Sequence, residues 1–307
     1  MSEANPAAQN GDRATDSAVL HLGKAYASMI AATLLWSSNA VAVKLILREM
    51  PQIATAVIRV TLAASILAGL YLLQGGRFRL RPGEAWTFLK LSLPGPALSF
   101  LFFTLGLNNT SIFHAVFIGA LVPIAVLALA RLDSQEPITP LKFAGLLLSL
   151  VGVLFLALDQ AAGPDASWKG DLFVGVGVWC FAFYTTRAKR IAPSYPSLQF
   201  NTYCFLGGVA WLAPLLLLEL GRLPWSRIGW VGWTSLLYSA SLGSAGAYLA
   251  FYYALRFVEA SRVAAFHYLQ PVLASIFGVW VLHESWTTMF VPGAALILAG
   301  VFLAERR

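Results

Sequence analysis

The 307-residue chain is 58% hydrophobic, charged at only 11% of its positions, and carries a formal net charge of +7. Soluble domains are roughly 25% charged, so water is excluded as the main solvent of this chain. In an apolar chain basic residues report topology first, so the excess is not read as a nucleic-acid surface.

The first twenty residues, rich in Ala, Asn, Asp and Ser, read as a disordered cytoplasmic tail, with no apolar run ahead of a small-residue cleavage site. A helical span needs about 20 mainly apolar residues, and ten such segments follow. The first five are Tyr26 to Ile46, Ile53 to Leu73, Trp86 to Leu107, Ile112 to Ala130 and Leu141 to Leu158. The second five are Leu172 to Thr186, Leu198 to Leu218, Trp230 to Leu255, Val263 to Leu282 and Thr288 to Ala304. The expected fold is an all-α integral membrane protein with ten transmembrane helices. Cys180 and Cys204 both lie in apolar segments and imply neither a disulfide framework nor a metal site.

The chain matches itself. At a shift of 148 residues, Pro123 meets Pro271, Glu136 meets Glu284, Thr139 meets Thr287, Gly145 meets Gly293 and Gly152 meets Gly300. Proline, glutamate and glycine are scarce in apolar segments, so these coincidences mark a duplication. An earlier pairing at a shift of 143 sets Trp36 on Trp179 and Lys44 on Arg187, with a five-residue loop insertion absorbing the difference. The repeats are expected over residues 21–160 and 161–307. With five spans each, the second repeat enters the membrane from the opposite side, giving two inverted five-helix repeats. The charges agree: cytoplasmic termini place thirteen Lys and Arg in inside loops and five outside, with Arg59, Lys90 and Lys142 within or at the ends of helices. Inverted repeats underlie alternating access in many secondary transporters.

Interruptions of the spans point to a binding region. Pro94, Gly95 and Pro96 break the third span, and Gly243, Ser244, Ala245 and Gly246 stand at the matching place in the eighth. Freed backbone groups are tolerated in a membrane where they line a cavity or are buried in protein. The alternative is that these glycines let helices pack closely. Pro123 and Pro271 read either as hinges or as static kinks.

Polar side chains within spans usually face the bundle interior. Helical spacing puts Trp36 and Asn39 on one face, His267 and Gln270 on another, and Ser244, Tyr248 and Tyr252 in a stripe. Trp179 and Phe183 in the sixth span and Ser99 past the third-span break complete an expected aromatic-walled, weakly polar substrate pocket. It would suit a small amphipathic solute. Lys44 and Arg187 read as gate or carboxylate-binding groups, or as snorkelling anchors. Glu136 and Glu284 fall in short loops, where capping is the expected use. No acidic residue sits near the middle of a span, which argues against tight proton coupling and favours facilitated movement or exchange.

The chain resembles the drug/metabolite transporter superfamily, and within it the ten-span exporters with duplicated EamA-type domains. The matching stretches are Trp36 to Lys44, Arg59, Pro123, Glu136 to Gly152, Trp179 to Arg187, Pro271, Glu284, Gly293 and Gly300. Ser37 departs from the glycine common after that tryptophan. The resemblance implies a monomeric inner-membrane exporter of amino acids or related metabolites, both termini cytoplasmic, needing lipid but no cofactor. Efflux of organic cations is the competing reading within transport. A membrane enzyme acting on lipid is the other, and no cluster of catalytic groups supports it.

Overall fold

The protein is described by a computed structural model covering residues 6–133, 135–158, 167–221, 223–282 and 288–306. Among these residues the chain is helical throughout its ordered elements, with no strand. The first half comprises α1 (Pro6–Ile46), α2 (Gln52–Leu73), α3 (Glu84–Ser92), a π-helical segment (Leu93–Ser99), α4 (Phe100–Asn109), α5 (Ile112–Gly119), α6 (Val122–Leu132) and α7 (Pro140–Leu158). The second comprises α8 (Trp168–Ile191), α9 (Ser197–Leu220), α10 (Trp230–Ala240), a second π-helical segment (Ser241–Gly246), α11 (Ala247–Phe257), α12 (Ala260–Ala265), a 3-10 turn (Phe266–Tyr268), α13 (Leu269–Leu282) and α14 (Phe290–Glu305). The segment expected to be a disordered tail is instead helical from Pro6 onward. Proline is pre-organised at a first helical position, and the alanines that follow favour continuation.

Among the described residues, five helical stretches are long and apolar enough to cross a membrane: Leu20–Ile46, Gln52–Leu73, Glu84–Asn109, His114–Leu132 and Ser197–Leu220. Pro140–Leu156 and Phe290–Glu305 are shorter apolar helices. The surface is that of a protein solvated by lipid: Leu73, Leu217, Trp230 and Val291 are exposed, while Arg59, Asn39, Asn201 and Thr202 are buried.

The 148-residue self-match reappears as packing. α7 and α14 lie antiparallel with almost nothing between their backbones. A Cβ on Gly145 would meet the Gly300 carbonyl oxygen at 2.6 Å, and one on Gly293 would meet the Gly152 carbonyl oxygen at 2.9 Å. Gly145 and Gly293 are mates in the self-match, as are Gly152 and Gly300, so the two contacts exchange under a two-fold operation. Small residues permit this approach, and helices in lipid associate largely through such packing.

A second pair of contacts follows nearly the same offset, the accepting carbonyls lying 148 residues apart and the lysines 145. The Lys44 ammonium donates to the carbonyl oxygens of Leu107 and Thr110 at 2.8 and 2.9 Å. The Lys189 ammonium donates to those of Leu255 and Val258 at 2.7 and 2.6 Å. Each lysine satisfies carbonyls left open where a helix ends. α8 runs antiparallel to α4, its N-terminal Ser167 bonding the Asn109 carbonyl at 2.7 Å while Tyr184 reaches Gly95, so the two lysines sit at opposite ends of the bundle. The structural mate of Lys44 is therefore Lys189, not Arg187.

Candidate functional site

The two π-helical segments lie at matched positions and are filled in a matched way. Gly95, with ψ −116°, breaks the ladder of the first segment, and a Cβ there would meet the Tyr184 ring at 2.7 Å. A Cβ on Gly243 would collide with the Asn39 carboxamide. Asn39 and Tyr184 are 145 residues apart, the same offset that relates Lys44 to Lys189. Each break thus receives a side chain from the other half. In this conformation both breaks are packed, and the hydroxyls of Ser99 and Ser244 bond back to the carbonyl oxygens of Gly95 and Ser239 at 2.5 and 2.7 Å. Serine back-bonding of this kind accommodates a locally bent helix.

Between the breaks lies a ring cluster. The Trp36 indole stacks on the His267 imidazole with centroids 4.9 Å apart and planes 20° apart. Phe251 approaches Trp36 at 5.0 Å, and Phe181 and Tyr248 meet it edge-on, each at 5.7 Å. Tyr248 continues to Phe100 at 5.3 Å and to Tyr252 at 5.5 Å. Each such pair contributes about 0.5–1.5 kcal/mol beyond area burial. The polar atoms here are sparse. The Gln270 amide lies 2.8 Å from His267 Nδ1, and with the amide donating, a neutral ring carries its proton on Nε2. That buried Nε2 has no hydrogen-bond partner, and neither does Asn39 Oδ1. The Tyr252 hydroxyl meets Thr185 at 3.3 Å.

The structure brings together Trp36, Asn39, Ser99, Ser244, Tyr248, Tyr252, His267 and Gln270. It does not bring Trp179 and Phe183 there: these are 56% and 41% exposed, whereas Phe181, between them, is buried in the cluster. The reason is register. Matching Trp36 to Trp179 used a shift of 143, whereas the contacts obey 145, and two helical residues turn the face by about 200°. Arg187 is likewise peripheral, pairing with Asp133 at 3.0 Å and lying over the Phe183 ring.

The prolines are placed at joints. Pro123 follows the interruption between α5 and α6, and Pro271 follows the 3-10 turn at Phe266–Tyr268, so neither breaks the middle of an uninterrupted helix.

Arg59 stands outside the site residues expected from sequence. It is buried on α2, its guanidinium carbon 4.4 Å from the Phe100 ring centroid, and neither Nε nor Nη1 has a hydrogen-bond partner. An ionisable residue inside a span is a functional candidate by default, and that signal was present in the sequence.

At the end of the bundle bearing Lys189, a cluster of charges ties the halves together. Glu136 is buried and accepts from the Ser261 amide at 3.3 Å and from the Ser261 hydroxyl, capping α12 as its loop position suggested. Lys142 bridges Glu136 at 3.3 Å and Glu259 at 2.9 Å, and Arg262 joins Glu259 at 3.0 Å. Burial raises the Glu259 pKa, but Lys142 and Arg262 outweigh it and hold the carboxyl below the ordinary glutamate range. Beside this cluster is a cavity of about 400 Å³ lined by Arg131, Gln135, Glu136, Pro137 and Ile138. Glu284, the sequence mate of Glu136, lies outside the described residues.

Known proteins supply the context. An uncharacterized transporter of Archaeoglobus fulgidus is 26% identical over 279 residues, covering 89% of this chain and 94% of its own. The uncharacterized transporter YetK of Bacillus subtilis is 24% identical over 283 residues, covering 91% of this chain and 86% of its own. A crystal structure superposes with a TM-score of 0.74 over 92% of this chain and 96% of that chain at 19% identity, which shows a shared fold. The profile of the EamA-like transporter family matches twice, over residues 23–158 and 168–305, and the chain therefore belongs to that family of membrane transporters.

Proposed function

We propose that the protein exports amino acids and related small metabolites by alternating access, moving them down a gradient or in exchange. In this reading it spans the inner membrane ten times, as inverted repeats over 21–160 and 161–307, with both termini cytoplasmic. The observation that carries it is the ring cluster around Trp36. Both halves build it, next to two exchange-related helix breaks, and it leaves a few buried polar atoms without partners. Discontinuous helices at a repeat interface are the usual seat of cargo in secondary transporters. The paired glycine and lysine contacts support inversion, because the mates in each pair exchange while their helices run in opposite directions.

The cluster is packed in this conformation, so cargo entry requires the halves to move. The Glu136–Lys142–Glu259 bridge would close one end and part as the other closes. Proteoliposomes loaded with radiolabelled amino acids are expected to release them faster than empty liposomes. Equal rates across a panel of amino acids would refute the proposal.

A further inference from the structure

We propose that Arg59 binds the carboxylate of the transported solute, an assignment that rests on the amino-acid reading and gives it a specific anchor. Arg59 lies about two turns inside α2 and is 4% exposed. An arginine cannot shed its proton to escape burial. Its compensating neighbours among the described residues are the Phe100 ring and the Tyr248 phenol, and neither is an anionic partner. A desolvated cation–π contact contributes about 2 kcal/mol, less than the several kcal/mol needed to bury a charge.

A purely structural role has a signature here, and Arg59 lacks it. Lys44 and Lys189 each hold two helix-end carbonyl oxygens within 2.9 Å. Arg59 Nε and Nη1 hold none, and among the described residues no carboxylate pairs with it. The scaffold does not demand the cation either. α2 begins at Gln52 and its counterpart α9 at Ser197, 145 residues later, so the equivalent position is Cys204, buried and uncharged. One half builds the same helix without an arginine, so the charge belongs to the asymmetric part of the molecule.

The surroundings fit a solute with an anionic head. The unpartnered Nε and Nη1 lie on different edges of the planar guanidinium, and either edge, completed by Nη2, can meet carboxylate oxygens in a bidentate manner. From Arg59 the rings run through Phe100 and Tyr248 to Trp36, with successive centroids 5.3 and 5.7 Å apart, a wall for an apolar body. Asn39 Oδ1, bare of donors, offers an acceptor for an ammonium group on the same solute.

The experiment is equilibrium binding of radiolabelled L-phenylalanine to the purified full-length protein, with 3-phenylpropionate and phenethylamine as competitors. The first competitor keeps the carboxylate and lacks the amine; the second does the reverse. We expect 3-phenylpropionate to compete about tenfold better than phenethylamine, and Arg59→Gln to weaken phenylalanine binding about tenfold or more, as expected for losing one partner of a desolvated ion pair. Arg59→Lys keeps the charge without the fork and should fall between them; where Arg59→Gln does not fold, as judged by thermal unfolding, Arg59→Lys carries the test. Undiminished phenylalanine binding by whichever variant folds would overturn the assignment, as would phenethylamine competing equally well or a wild type that binds neither acid. Arg59-dependent binding without liposome flux would refute the transport reading alone.

Discussion

Lys44 and Lys189 perform one task at opposite ends of the bundle, whereas Asn39 and Tyr184 fill equivalent helix breaks with different chemistry. The two halves agree at the glycine seam of α7 and α14 and at the lysine bonds to helix ends, and diverge at side chains that face the centre. Arg59 stands opposite Cys204 and His267 opposite Gly119. A duplicated scaffold can preserve glycine seams and helix-end bonds because each half needs them equally. A small solute occupies one place at a time, so nothing requires its contacts to be duplicated.

That contrast can be broken at the seam first. Gly145→Leu and Gly293→Leu each drive a side chain into backbone of the facing helix, and each is expected to destabilise by about 3 kcal/mol or prevent folding. Thermal unfolding in detergent would measure this; a large effect at only one mate would refute equivalence. Next come Lys44→Met and Lys189→Met, expected to cost about 2 kcal/mol apiece for bonds from a charged donor, and by similar amounts at both ends. A difference of more than about twofold between the two losses would show that one lysine has a further use.

The smallest effect concerns pH. Glu259 has a lowered folded-state pKa, so its contribution to stability is present above the ordinary glutamate range and is lost as pH falls through the folded value. It is partly exposed, so solvent screening keeps the effect modest. Unfolding midpoints should therefore fall on acidification, and less so in Glu259→Gln. An identical acid response in the variant would remove Glu259 from the account.

Much of this was legible in the sequence because scarce residues carried it. Proline, glycine and glutamate stand out against leucine, so the 148-residue offset, the breaks at Gly95 and Gly243, and the spacing of Trp36, Tyr248 and His267 could be read directly. In the sixth span a tryptophan-to-tryptophan match sets the register two residues off, so Trp179 and Phe183 are expected inward whereas Phe181 is the buried ring. Apolar identity carries little register information, and only the Lys189 bonds and the Tyr184–Gly95 contact fix it. In the sequence Arg59 stands only as a charge within a span and a family-matching position; its missing partners are a tertiary fact that no local pattern contains.

The most direct test compares two tryptophan variants for amino-acid flux in proteoliposomes. Trp36→Ala removes the ring at the centre of the cluster and is expected to lower flux about tenfold, since several aromatic contacts are lost at once. Trp179→Ala, on the exposed face of α8 turned away from the cluster, is expected to leave flux unchanged. Equal loss in both variants, or loss in Trp179→Ala alone, would contradict a cargo site at the Trp36 cluster.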